Sequence, residues 1–156
     1  MGRGTPVVTA SGYNQGIAGC YDVVPEYENK ITVSCNGACG STFYHPYIFN
    51  LNGDAVVLSE SIPMSDCAKQ FVSCILNGVL IRKFSYEEKC SGDKVENEVI
   101  KLPIDNNGNP DWQYMERYMQ DLEVKVGRIL RGFMNYLKTS LTALCQKMML
   151  RKPIRI

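Results

Sequence analysis

Three clusters of hydroxyl, amide and aromatic side chains carry the most usable chemistry in this chain. The first gathers Ser11, Tyr13, Asn14 and Gln15. The second holds Asn36, Ser41, Thr42, Tyr44, His45 and Tyr47, and the third Lys83, Ser85, Tyr86 and Lys89. Such groups hydrogen-bond phosphate oxygens and base edges alike, so the chemistry they suit is contact with nucleic acid. Taken singly, each cluster reads equally as turn chemistry or solvated surface, and Tyr44 and Phe49 read equally as core. A different chemistry would use Cys35, Cys39 and His45. Cys35-x3-Cys39 with one histidine supplies three ligands where a structural zinc needs four, and no second pair stands nearby. His45, expected in a loop between Tyr44 and Pro46, could also serve a cysteine as base, but no third residue is placed to orient it.

Other catalytic signatures are missing from the sequence. There is no Asn-Pro-Pro-Tyr stretch of the adenine-methylating kind, no Gly-x-Gly loop after a strand, no Walker loop and no Gly-x-Ser-x-Gly. No acidic-x-Lys partner in a nearby strand joins Pro110-Asp111 to make a nuclease metal site. The chain is therefore read as non-catalytic, with no metal and no cofactor.

The formal net charge of +1 hides an asymmetry. Residues 1–123 hold nine basic and all sixteen acidic side chains, a balance of −7, whereas residues 124–156 hold eight basic and no acidic ones. A DNA binder draws much of its affinity from phosphate contacts, so the basic end or a partner is expected to supply some of them. No run of eighteen apolar residues occurs, and Met1-Gly2-Arg3-Gly4 opens no apolar signal core, so no membrane span is expected and a cytoplasmic location is. The seven cysteines at 20, 35, 39, 67, 74, 90 and 145 are then expected as reduced thiols filling small apolar spaces.

The elements that must position these residues read as a β-rich module followed by helices. Pro6–Thr9, Lys30–Ser34 and Ala55–Leu58 are short strand candidates rich in β-branched residues, with a tight turn at Asn52-Gly53-Asp54. Ile100–Ile104 reads as a further short strand. Ser65 can cap a helix running to Leu76, with Cys67, Ala68, Phe71, Cys74 and Ile75 sharing one face. A second helix opens at Asn109-Pro110-Asp111-Trp112, with Asn109 as cap and Pro110 in the first helical position. Its apolar positions run Met115, Met119, Leu122, Val126, Ile129 and Phe133, a four-three alternation typical of a seam between helices. They continue through Leu137, Leu141, Leu144 and Met148 after a slip in register. Gly127 and Gly132 predict a bend or break there. Residues 115–148 would span about 50 Å as helix, longer than a small domain can cover, which predicts packing on another helix.

Three stretches give this pattern a family resemblance. Phe84–Met119 (FSYEEKCSGDKVENEVIKLPIDNNGNPDWQYMERYM) resembles the end of a target-recognition domain in the DNA specificity subunits of type I restriction-modification systems. Related domains occur in fused type II restriction-methylation enzymes. Lys30–Phe49 resembles the same family in its strand, Gly-rich turn and Phe-Tyr-x-Pro segment. Thr9–Gly19 (TASGYNQGIAG) looks like the Ser-x-x-Asn-x-Gly-x-x-Gly loop near the start of such domains. Together they cover about residues 5–122. This chain departs from the family where Glu87 and Glu88 follow Phe84-Ser85-Tyr86, where Cys90 and Ser91 follow Lys89, and where Glu96 and Glu98 precede Ile100.

The resemblance implies an α+β fold: a small mixed β-rich recognition domain at 1–108, a long amphipathic helical arm at 109–150 and a basic tail at 151–156. It implies sequence-specific reading of duplex DNA through the three clusters, as a half-sized or fragmentary specificity subunit. Partners would be an adenine methyltransferase subunit, a nuclease or translocase subunit, and a second copy of the chain joined through the helix. The alternative is a protein-interaction module that keeps the fold, has lost DNA binding and docks through its basic helix.

Overall fold

A computed structural model describes residues 4–53, 55–85 and 87–149, with side chains described up to residue 142. Five strands form one mixed sheet: β1 (Thr5–Val8), β2 (Ile17–Tyr21), β3 (Tyr27–Ser34), β4 (Thr42–Leu51) and β5 (Ala55–Leu58), in the order β2-β1-β4-β3-β5. The β1–β4 pairing is parallel and the others are antiparallel. Helix α1 (Asp66–Lys83), the single-turn helix α2 (Gly92–Glu96) and helix α3 (Trp112–Met149) follow, so the chain is α+β as expected.

Strand β4 is longer than the expected turn-and-loop reading allowed. It carries a bulge: Lys30 pairs with His45 and Glu28 with Ile48, so Pro46 and Tyr47 together oppose the single residue Asn29, which holds φ +53°. Pro46 sits in that bulge, where the ladder is locally open and a missing N–H costs little. His45 is thus a strand residue and not a loop residue. The expected strand at Ile100–Ile104 does not form. Pro103 cannot donate to a ladder, and only Ile104 bridges, to Pro110; the segment instead tucks Ile100 and Leu102 against the core.

Alternation along the strands gives the sheet two faces. On the first, Ile31 and Val33 meet Val72, Leu76 and Leu80 of α1, with Phe84, Cys90 and Val95 completing the core and Tyr44 packed beside it. The second carries Thr32, His45 and Phe49, all nearly or fully buried. There the His45 ring lies 4.9 Å from Phe49, and Tyr27 stacks on Phe49 at 5.5 Å.

Ser65 caps α1, its hydroxyl accepting from the Ala68 N–H at 3.3 Å. The buried stripe of α1 is Ala68, Val72, Leu76 and Leu80, flanked by Lys69 and Ser73. This corrects the expected face, of which only Ala68 is buried: Cys74 is exposed, and Phe71 instead sets its ring edge-on to Tyr118 at 5.8 Å. Lys69 hides the true stripe from a hydropathy reading. Its ammonium is tucked in because it pairs with Glu60 at 3.1 Å and donates to the Asn29 carbonyl at 3.1 Å.

Helix α3 starts two residues later than Asn109-Pro110 predicts. The cap is Asp111, whose carboxylate accepts from the Tyr114 N–H at 2.9 Å. Asn109 belongs to the preceding turn, where the Asp105 carboxylate accepts from the Asn107 and Asn109 N–H groups. The helix runs unbroken through Gly127 and Gly132, so no break occurs there. The first compact unit is Met1–Met119, and Met115 and Met119 are buried within it. The second unit is Gln120–Ile156. Along it Leu122, Val126, Ile129, Phe133 and Leu141 are exposed, while the side chains of Leu144 and Met148 and the basic tail lie outside the described residues. Among the described residues no helix is long and apolar enough to cross a membrane.

Candidate nucleic-acid interface

The β1–β2 connection is a stiff loop. Asn14, Gln15 and Gly16 hold φ of +49°, +53° and +77° in succession, a conformation that side-chain-bearing residues adopt only when their surroundings enforce it. The enforcement is local: the Thr9 N–H and hydroxyl both donate to the Gly16 carbonyl, the Gly16 N–H to Tyr13, and the Asn14 amide to Ile17. Tyr13 stands at the tip, 86% exposed, its N–H donating to the Ser11 hydroxyl at 3.2 Å. A large aromatic held in water by a locked backbone is already prepared to stack.

The β3–β4 connection folds onto that loop. The Ala38 N–H donates to the Ala10 carbonyl at 3.2 Å. Gly12 lies so close that a β-carbon there would stand 3.1 Å from the Ala38 methyl and 3.4 Å from the Ser41 hydroxyl. Gly40, at φ +82°, backs directly on the end of α1: a β-carbon would fall 2.5 Å from the Leu80 carbonyl carbon. Glycine is therefore required at Gly12 where the first loop meets the second, and at Gly40 where the second meets α1.

The third loop follows α1. Ser85 and Glu88 close it reciprocally, the Ser85 N–H donating to the Glu88 carbonyl and the Glu88 N–H to the Ser85 hydroxyl, both at 3.1 Å. The Lys94 ammonium ties down the Lys89 carbonyl at 2.9 Å. This loop reaches the second one at Cys35 and Cys90, whose sulfurs lie 3.5 Å apart. Asn36 and Lys89 line opposite sides of one open hollow of about 410 Å³.

The second loop thus touches both the first and the third, and the three loops carry Ser11, Tyr13, Asn14, Asn36, Ser41, Ser85 and Lys89. Lys83 sits at the end of α1 beside them, held by an ion pair with Glu98. Lys94, missed in the sequence reading, also belongs to this edge; its clue is Ser91, which caps α2 by accepting from the Lys94 N–H, while the Lys94 ammonium bonds the Lys89 carbonyl. Tyr86 lies outside the described residues.

Four other candidates are placed differently. Thr42 is buried, its hydroxyl donating to the Gly40 carbonyl and its N–H to the Asn77 side chain, so it shapes the turn. Tyr44 is half-buried on the helix face and donates to the Asn29 side chain at 2.7 Å; burial, then the neighbouring Asp66 carboxylate, raises its phenol far above the ordinary range. Asp66 is held below the usual carboxylate range by hydrogen bonds from Asn29 and then Tyr44. His45 is fully buried on the opposite face, with its ring nitrogens on the Thr32 hydroxyl at 2.9 Å and the Tyr47 hydroxyl at 3.1 Å. Burial lowers its pKa to about 4, so it is neutral at pH 7. Tyr47, half-buried, is shifted upward by burial and then by Cys20. His45 and Tyr47 lie roughly 10 and 17 Å along β4 from the Thr42 end at 3.3–3.4 Å per residue.

This placement also separates His45 from Cys35 and Cys39, which share the helix-side core with Cys90. Among the described residues no group of three or more potential ligands is arranged to hold a metal.

Residues 2–129 match the type I restriction modification DNA specificity domain. The chain belongs to that family. A curated relative is the type II restriction enzyme BgcI specificity subunit S.BcgI of Heyndrickxia coagulans, 29% identical over 99 residues. The match covers 63% of this chain and 29% of the relative, so the chain matches less than a third of that subunit's length. The contacts of Ala38 with Ala10 and of Cys35 with Cys90 put the polar groups of the three loops on a shared frame.

Proposed function

We propose that this DNA specificity domain reads a short duplex sequence with the edge formed by Ser11–Gln15, Asn36–Ser41 and Ser85–Lys89. The observation that supports this most is the pairwise contact of the three loops, Ala38 to Ala10 and Cys35 to Cys90. Separate surface turns would not need to share a frame; a surface that reads successive base pairs would. In this reading Asn36 and Asn14 are suited to base edges, Tyr13 to stacking or sugar contact, and Lys89 and Lys83 to phosphates. Thr42, Tyr44 and His45 position the loops or fill the two cores without touching DNA, and the domain itself performs no chemistry.

The exposed apolar run of α3 would carry assembly. A two-fold dimer through Leu122, Val126, Ile129 and Phe133 would present two recognition edges to a two-part site. Such an assembly would deliver an adenine methyltransferase subunit, and a nuclease or translocase subunit, to that site. Salt-dependent binding tests the DNA reading. The logarithm of affinity for duplex DNA should fall linearly with the logarithm of salt, with a slope of about 0.9 for each phosphate engaged.

One feature favours a second reading. Glu87 and Glu88 lie in the third loop and Glu98 holds Lys83, so phosphates meet a mixed field there. If the chain is instead a protein-interaction module, duplex DNA will not be retained even at low salt, while a restriction-system subunit will still be captured through α3.

A further inference from the structure

We propose that Cys35 and Cys90 are a thiol-oxidation site, forming a reversible disulfide that staples the second loop to the third. The two residues are 55 positions apart and arrive from unrelated elements. Cys35 follows β3, and Cys90 directly precedes the Ser91 cap of α2. Their sulfurs nevertheless lie 3.5 Å from each other, and Cys39 joins them with its thiol 3.5 Å from the Cys35 carbonyl. A bond of about 2.05 Å asks the two sulfurs to close by only about 1.5 Å.

Exposure assigns the order of events. Cys35 is half-buried and lines the open hollow with Asn36 and Lys89, so a small oxidant can reach it. Cys90 is 5% exposed and faces Cys35. With a low-molecular-weight disulfide as oxidant, the Cys35 thiolate attacks one of its sulfurs. That S–S bond breaks, and one small thiolate leaves and takes up a proton. Cys90 then loses its proton to solvent and attacks the Cys35 sulfur of the mixed disulfide, releasing the second small thiol. Two protein thiols are oxidised and one small disulfide is reduced to two thiols. Burial, with help from Cys35, pushes the Cys90 thiol up to about 12, which makes the second step the slow one at neutral pH.

The staple would fix the spacing of Asn36 and Lys89. That it tunes DNA reading rests on the function proposed above; the bond itself does not. The test is incubation of the folded chain with glutathione disulfide, acid quench and peptide mass mapping, with melting followed in parallel. The expected result is a Cys35–Cys90 peptide pair lacking two hydrogens. It should come with a melting temperature raised by at least about 5 °C and reversed by dithiothreitol. In Cys90→Ser, glutathione should remain on Cys35 and the rise in melting temperature should vanish. Pairing of Cys35 with Cys39, or adducts confined to exposed Cys20 and Cys74, would overturn the proposal. Because the mapping is done on the unsubstituted chain, a misfolded variant does not blunt it. Duplex binding by oxidised and reduced protein is compared separately, so a failed staple and a failed DNA reading give different results.

Discussion

Helices α1 and α3 both carry apolar stripes, and they use them in opposite ways. The stripe of α1 is blurred by Lys69 and Ser73 yet is fully enclosed by the sheet and the segment that follows it. The stripe of α3 past Met119 alternates regularly from Leu122 through Phe133, yet stands in water. An internal interface can tolerate a lysine because Glu60 and the Asn29 carbonyl are there to receive it. An interface awaiting a partner of its own kind has only spacing to rely on. In the proposed assembly the clean periodicity would serve association between molecules, whereas the noisy stripe forms the core.

The comparison is broken most forcefully at Leu80, where no surface is exposed. Leu80→Ala should lower the unfolding free energy by about 2–5 kcal/mol in urea titrations. Ile129→Ala and Phe133→Ala should change monomer unfolding by less than about 0.5 kcal/mol each. They should instead weaken self-association roughly tenfold or more by sedimentation. Equal effects at both places would end the contrast.

The domain side also contains a buried base. The pKa of His45 in the fold, about 4, lies below the ordinary value of about 6.5. As pH falls below 6.5 the unfolded chain takes up a proton that the folded chain refuses. The stability present above pH 6.5 should thus be lost on acidification toward pH 4, by about 3 kcal/mol in total. His45→Gln should remove that part of the pH dependence, read as the difference between the two melting curves across pH 4–7. A smaller effect is expected at Lys69. Lys69→Met keeps the volume, leaves Glu60 with Lys30 at 3.3 Å and strips the Asn29 carbonyl of its donor, for a loss of about 1–3 kcal/mol. A gain in stability would mean that the ion pair is not what allows the noisy stripe. Smallest for the fold is Tyr13→Ala. It should leave melting within about 0.5 kcal/mol and still weaken duplex binding by about 1–2 kcal/mol, near tenfold.

Much of this was readable before any coordinates. Ala55–Leu58, the Ser65 cap and the long amphipathic helix followed from β-branched runs, capping chemistry and spacing. What escaped was set by tertiary partners. The true face of α1 needed knowledge that Glu60 would reach Lys69. The Asn109 cap lost to Asp111 because Asp105 had already claimed the Asn109 N–H for its own turn. His45-Pro46 read as a loop because nothing local announces that the strand continues through a bulge at Pro46-Tyr47 opposite Asn29. For the candidate edge, the loop residues Ser11, Tyr13, Asn14, Asn36 and Ser41 could be named from composition together with the family resemblance. Their shared frame could not, since it depends on Gly12 meeting the Ala38 and Ser41 side chains and Gly40 meeting the Leu80 backbone, all far away in sequence. Thr42 and His45 are buried and Tyr44 is half-buried and bonded to Asn29, which polarity alone does not reveal.

Hydrogen exchange of the full chain, with and without a duplex enriched from a random pool at low salt, tests the reading edge most directly. Protection gained together at residues 10–16, 35–41 and 85–91, and absent from the exposed face of α3, is the predicted result. Enrichment of no sequence, or protection that spares those three loops, would contradict it.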